Sequence, residues 1–298
     1  MVSNKSKQGG ARLHEDDRAY LDANKLWKDN GQFLTPEVIA NRLALELKKL
    51  LDNNPEEIVD FGCGPGSLTQ AIRDVFPDSM ITGYDIDNDA LRSFDRRFSS
   101  DDRIHSEDRN LLLEPLEAES TLAIISNPPY LLSRRLGRKM TKRLRDSGHF
   151  PVMSGKLNTF SLFIQSALKA MSPGAAAAFV VPIGIANLDD HHPLRELLMK
   201  MCDYIRITWC VDSIYFAEQG ASVEVLLLSF RKRAPASTGT KLRVLEWDGR
   251  KVQSDSGVFR SKDFKVFPTQ ALLDAEKQEG VPIKKEFKIV ACGFNWRG

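Results

Sequence analysis

The sequence predicts an α/β domain built on a mostly parallel sheet that a terminal antiparallel hairpin closes. Three observations predict it. Short β-branched apolar runs alternate with helical-period stretches from Ile58 onward, the pattern of βαβ units. The run Ile58-Val59-Asp60-Phe61 passes straight into Gly62-Cys63-Gly64-Pro65-Gly66 and then into a helix. Two later runs, Tyr204–Val211 and Val223–Phe230, are joined by a stretch too short for a crossover helix, so they should be antiparallel neighbours.

With 298 residues, 42% hydrophobic and 28% charged, the chain has a globular composition. It has room for one large domain, or for one domain and a small second one. The net charge of +2 exerts no overall pull on polyanions, so any nucleic-acid signal must come from local clustering. Cys63, Cys202, Cys210 and Cys292 form no C-x-x-C pair, which argues against a zinc or dithiol site; no metal is expected. No apolar run approaches the roughly 18 residues that span a bilayer. The polar N-terminus, Met1 to Asp17, lacks a signal-peptide core. The expectation is a cytoplasmic protein with reduced thiols and no membrane partner.

Taken in order, residues 1–30 read as an N-terminal arm, mobile to about residue 18. Thr35 is placed to cap a helix that Pro36 starts, and apolar residues at helical spacing carry it to Leu51. After the first strand, alternating glycines let the backbone pass close to a ligand before a helix over Ser67–Phe76. A second strand, Met80–Tyr84, ends at Asp85. That is about 20 residues past the glycine loop, where nucleotide-binding βαβ units carry a carboxylate for ribose hydroxyls. Asp85 either caps the next helix, Asn88–Phe98, a role Asp87 or Asn88 could also fill, or binds a ligand, the reading favoured here. Arg103–Glu107 forms a third strand. Asp108 at its end serves either turn chemistry or as an acceptor for a cofactor's amino group.

The fourth strand, Leu122–Ile125, runs into Ser126-Asn127-Pro128-Pro129-Tyr130. Each proline fixes φ near −65° and removes a backbone N–H, and the residue before a proline is held extended. The Asn127 amide oxygen, carbonyls without competing N–H groups and the Tyr130 ring together suit a planar heterocycle with an exocyclic amino group. A proline-stiffened loop without a ligand is the simpler alternative. In an open α/β sheet, ligands sit beyond the carboxyl ends of the strands, which brings the glycine loop and this corner together.

Arg134, Arg135, Arg138, Lys139, Lys142, Arg143 and Arg145 follow, with no acidic residue among them. Such blocks are usually solvated and mobile; beside a binding corner, this one suits a polyanion. Next come a helix over Leu157–Met171, a strand over Ala175–Val181 and a helix over His191–Met201 whose two histidines read as solvated. Tyr215 and Phe216 lie in the hairpin connection, either in the core or facing the pocket. Residues 231–240 read as a linker, and the remainder has too little apolar pattern to build a core alone.

The ordered set G-Q-F-L-T-P at 31–36, D-F-G-C-G-P-G at 60–66, Asp85, Asp108 and N-P-P-Y at 127–130 resembles the gamma class of DNA adenine-N6 methyltransferases from restriction–modification systems. The resemblance spans about residues 30–233, extending into Asn158–Phe163, Phe179–Pro182, and Phe216 with the following strand. It implies a Rossmann-like class I S-adenosylmethionine-dependent methyltransferase over residues 31–233, with a seven-stranded, mostly parallel sheet. Residues 234–298 would be a linker and the start of a truncated or missing target-recognition region.

The resemblance also implies S-adenosylmethionine as methyl donor. Thr35 and Pro36 would lie over its methionine end, and Asp60, Gly62 and Gly64 would line its methionine part. Asp85 would hold the ribose and Asp108 the adenine amino group. Asn127 and the Pro128 carbonyl would hold the target amino group in the corner that Pro129 completes. Tyr130 would stack on the base, with Phe216 or Tyr215 on its other side. The implied partner is double-stranded DNA with a flipped adenine, read with help from a specificity subunit or a C-terminal domain. N-P-P-Y also occurs in release-factor glutamine methyltransferases and some RNA adenine methyltransferases, and a non-catalytic DNA-binding or assembly fragment is a further reading. G-Q-F-L-T-P ahead of the glycine loop favours DNA.

Overall fold

The structure, a computed structural model, describes residues 12–24, 32–153, 158–210, 216, 219, 224–254, 258–260 and 265–267. Tyr215 lies outside them. Strands β1 (Glu57–Phe61), β2 (Met80–Asp85), β3 (Ile104–Asp108), β4 (Thr121–Ser126) and β5 (Met171–Pro182) run parallel. Strand β7 (Val225–Lys232) is antiparallel both to β5 and to β6 (Cys202–Cys210), as the short connection required. Strand β8 (Lys241–Trp247) adds in parallel to β6, and β9 (Val252–Ser254) turns back on β8. The order is β3-β2-β1-β4-β5-β7-β6-β8-β9. A separate small hairpin joins β10 (Val258–Arg260) to β11 (Lys265–Phe267).

Among the described residues the sheet therefore has nine strands where seven were expected, and it runs on past residue 233. The reason lies in β8: Val244, Leu245 and Trp247 are buried, too few apolar residues for a core of their own but enough to extend an existing one. Alternate strand residues face opposite layers, as a pleat requires. Ile58, Ile81, Ile125 and Ala178 pack under helices α2 (Glu37–Lys48), α3 (Ser67–Val75) and α4 (Asn88–Arg97). Val59, Phe61, Ile124 and Phe179 pack on the other face under α6 (Thr159–Ala170) and α8 (His192–Met201). Buried Glu46 on α2 accepts from Thr208 and Ser229 and pairs with Arg42, which ties this helix to the closing hairpin.

Four local expectations need correction. The arm is helical from Glu15 to Ala23 (α1), because Asp17 reaches Arg97 and Ser67, and Tyr20 donates to Asp87 at 2.6 Å. Pro36, not Thr35, stands at the cap of α2, which frees the Thr35 hydroxyl for the site. His191 precedes α8 and is half-buried, its ring 5.1 Å from Phe160. Burial lowers its pKa. The basic block is also ordered, as helix α5 (Ser133–Asp146), broken at Gly137 where φ is 77°. Among the described residues, no helix is long and apolar enough to cross a membrane, and no cluster of side chains is suited to a metal.

Gly66 caps α3 at φ 96°, and a Cβ there would sit 2.4 Å from Phe98 Cε2. Gly66→Ala combines a left-handed backbone with overpacking, so it should lower the unfolding free energy by about 3 kcal/mol in a urea titration.

Candidate active site

Strand register sets the site. Phe61 pairs with Ser126, so Gly62 and Asn127 leave the sheet side by side. Phe61 also pairs with Tyr84, and Asp85 with Asp108, so the four parallel strands deliver their terminal residues to one edge. The chain turns to opposite sides of β1 at β2 and β4, which makes this edge the topological switch point where such sheets bind ligands.

At the β4 exit, Asn127 Nδ2 donates to the Phe33 carbonyl at 2.6 Å and to Thr35 Oγ1 at 3.0 Å. Those two acceptors fix which end of the amide faces where: Oδ1 is the acceptor end, and it receives the Tyr130 hydroxyl at 2.9 Å. The same hydroxyl lies 3.1 Å from the Val180 carbonyl, and burial raises its pKa, keeping it protonated. The Pro129 carbonyl is engaged by Thr159 Oγ1, which also receives the Leu131 N–H at 2.9 Å. Thr159 thus staples the chain on both sides of Tyr130. Sequence reasoning placed Asn158–Phe163 in the resemblance without seeing this grip. Pro128 lies outside the cavity lining to which its neighbours Asn127 and Pro129 belong. Tyr130 and Phe216 do not line the cavity. Phe216 is 1% exposed and packs edge-on against Phe33 with centroids 6.2 Å apart, and Tyr130 lies 6.2 Å from the same ring.

The cavity measures ≈ 590 Å³ and reaches from the glycine loop to the Asn127 corner. Gly62, Gly64, Asp85, Asn127 and Pro129 line it. Gly62 and Gly64 have φ 74° and 54° and present backbone, not side chain, to the space. Asp85 holds this wall: Oδ2 accepts the Gly64 N–H at 2.9 Å, and Oδ1 accepts from Ile86 and Asp87. Burial raises its pKa, and these N–H donors oppose the rise. Asp87 caps α4, as its position suggested. Asp108 is exposed, bonded to Asn88 and outside the lining; its neighbours Arg109 and Asn110 line the cavity instead. Tyr20, Gln32 and Phe163 also line it, and no sequence motif marked Tyr20. Thr35 bonds to Asn127 from outside the lining, and Pro36 is outside the lining as well.

Asp60 faces the α3 side, 0% exposed, with Thr69 donating to Oδ2 at 2.7 Å. Its Oδ1 is buried without a partner among the described residues. Asp60 is not among the residues lining the cavity; the glycine cradle and the carboxylate at the end of β2 fit a nucleoside, so the residues present suit S-adenosylmethionine. On the far side the cavity is apolar: Leu136, Met140 and Leu144 of α5 close it, while Arg138, Lys139, Lys142, Arg143 and Arg145 point to solvent. One helix therefore roofs the cavity with one face and presents a basic strip with the other.

Residues 26–171 match the family described as Methyltransferase small domain. The chain is 23% identical over 173 residues to "Modification methylase CviBIII" of Paramecium bursaria Chlorella virus NC1A, covering 57% of this chain and 42% of that one. It is 29% identical over 96 residues to "Ribosomal RNA small subunit methyltransferase A" of Mesomycoplasma hyopneumoniae strain J, covering 32% and 36%. It thus spans less than half the length of either curated relative. Among solved structures it resembles a Listeria monocytogenes protein provisionally assigned as a class I S-adenosylmethionine-dependent methyltransferase. The TM-score is 0.62 at 16% identity, over 76% of this chain and 70% of that one.

Burial pushes the Asp60 carboxyl up to about 7, against about 3.9 in an unfolded chain. The folded protein holds a proton that the unfolded one releases, so this stability is present below about pH 4 and lost as pH rises to about 7. Asp60→Asn stays neutral throughout. Its unfolding free energy relative to the unsubstituted protein should rise by about 2 kcal/mol between pH 5 and pH 8, measured by guanidinium titration.

Proposed function

We propose, for a chain with the class I S-adenosylmethionine-dependent methyltransferase fold and a methyltransferase small domain over residues 26–171, that it methylates the N6 amino group of adenine in DNA. The observation that carries this reading is the tethered Asn127 amide, whose oxygen is held as an acceptor at the cavity wall. S-adenosylmethionine, when bound, supplies an electrophilic methyl group on a positively charged sulfur. Gly62, Gly64 and Asp85 would hold it along the glycine loop, with Asp60 behind them. Asp108 would take part only from the cavity rim, beside Arg109 and Asn110.

The lone pair of an adenine amino group is delocalised into the ring, so the nitrogen is a poor nucleophile. Asn127 Oδ1 and the Pro128 carbonyl, accepting its two hydrogens, favour a pyramidal nitrogen and release the lone pair for attack. They also stabilise the positive charge that develops on nitrogen, and being fixed in advance they need no reorganisation. Pro128 and Pro129 hold both acceptors in one geometry, which contributes by orientation. The base must first leave its stack, at a cost of a few kcal/mol. Phe33, Tyr130 and Phe216 form an aromatic cluster beside the acceptors, and opening it onto the base would return about 1–3 kcal/mol per stacked contact. Thr35 serves by holding Asn127.

The exposed strip on α5 supports a polyanionic partner, and the viral modification methylase supports DNA. A specificity subunit or a further domain would select the site, in a restriction–modification setting. The ribosomal RNA relative keeps RNA adenine as the second reading. Tritium transfer from labelled cofactor to duplex DNA, a ribosomal RNA fragment and a glutamine-bearing peptide should label the DNA; labelling of RNA or peptide alone would replace the reading.

Asn127→Ala should abolish transfer to DNA while calorimetry still detects cofactor binding, and transfer at the unsubstituted rate would overturn the assignment. Replacing Arg138 and Lys142 together by Ala should reduce the slope of log K against log salt for DNA binding by about 2, read by fluorescence anisotropy.

A further inference from the structure

We infer that Gln219 is a positioning residue for Asn127, acting through the backbone of Leu34. The inference rests on reading the Asn127 oxygen as the acceptor, but its geometry stands apart from any choice of substrate. Residues 32–36 belong to no strand or helix, yet they carry both acceptors that hold the Asn127 amide. A segment with no ladder of its own needs another partner for its buried backbone. Gln219 supplies it. Its Oε1 accepts the Leu34 N–H at 2.9 Å and its Nε2 donates to the Leu34 carbonyl at 2.7 Å, the pair of bonds a neighbouring strand would make. The two residues are 185 apart in sequence, and Gln219 is 3% exposed.

Phe33 and Thr35 flank Leu34, so a clamp on Leu34 sets the position of both groups that hold Asn127. The Gln219 N–H bonds to the Phe216 carbonyl at 3.0 Å, which places the clamp in the same turn as Phe216. Phe216 meets Phe33 edge-on. One turn between β6 and β7 therefore presses on the 33–35 segment twice, once by ring contact and once by a reciprocal amide pair. The requirement is for glutamine chemistry: a donor and an acceptor on one planar group. An alanine leaves both Leu34 groups buried without partners. An ionised glutamate accepts from the N–H but faces the carbonyl with a second acceptor; a protonated one restores the pair.

The test follows the Asn127 side-chain amide in a ¹⁵N-labelled protein, assigned by its loss in Asn127→Asp. The Gln165 side-chain amide, buried elsewhere with bonds to Val152 and Ser161, is the internal reference. Gln219→Ala should speed hydrogen exchange at Asn127 at least tenfold relative to Gln165. It should also slow single-turnover methyl transfer at least tenfold, with the cofactor dissociation constant within threefold. Gln219→Glu should restore most of the Asn127 protection, relative to Gln165, as pH is lowered until its carboxyl protonates, followed by the ¹³C shift of that carboxyl. Unchanged exchange at Asn127 in Gln219→Ala, equal loosening at Asn127 and Gln165, or no recovery in Gln219→Glu once its carboxyl is protonated would each overturn the assignment. An unsubstituted protein that methylates no DNA counts against the proposed substrate alone, because the exchange comparison needs none.

Discussion

A side-chain amide has a donor end and an acceptor end, and only one of them suits a nucleophilic amino group. The tether from Asn127 Nδ2 to the Phe33 carbonyl and Thr35 Oγ1 makes that choice. Without it the group could rotate and present its NH₂ to the cavity, where it would compete with the substrate for acceptors. Everything that holds the 33–35 segment in place therefore acts on the orientation of the Asn127 amide, and the prolines after β4 stiffen the backbone that carries it.

Those supports come from distant parts of the chain. The Phe61–Ser126 pairing aligns the glycine loop with the corner, and Ser126 Oγ adds a bond to the Phe61 carbonyl at 2.6 Å. Thr159, from the start of α6, fixes the backbone on either side of Tyr130. Asp85 closes the opposite wall by gathering three backbone N–H groups. The carboxylate expected to meet a ribose thus also builds the loop around the cavity. Both roles suit a residue at the end of β2, because two oxygens offer more lone pairs than three bonds consume.

Much of this arrangement was legible in the sequence, and the reasons are local. Period-2 and period-3.6 patterns marked most strands and helices; prolines and glycines marked the two loops; and the short hairpin connection dictated antiparallel pairing. What was not legible depends on residues far apart in the chain. Helix α1 has little apolar pattern and is held by the polar contacts of Asp17 and Tyr20, so its composition suggested a loose arm. Strand β8 looks weak alone and is stable only as an addition to β6. The shift of the β3 end from Asp108 to Arg109 and Asn110 is a matter of side-chain direction, since Asp108 turns to Asn88. The burial of Phe216 follows from the turn it occupies, which no spacing rule describes.

The Tyr130 hydroxyl has one proton and two oxygens within reach, Asn127 Oδ1 and the Val180 carbonyl. A newcomer that donates to Asn127 leaves the phenol with its second acceptor, so no buried O–H is stranded by the exchange. The penalty that ordinarily accompanies breaking an interior hydrogen bond is thereby removed. The Asn127 oxygen can therefore exchange its internal partner for an incoming donor at little thermodynamic cost.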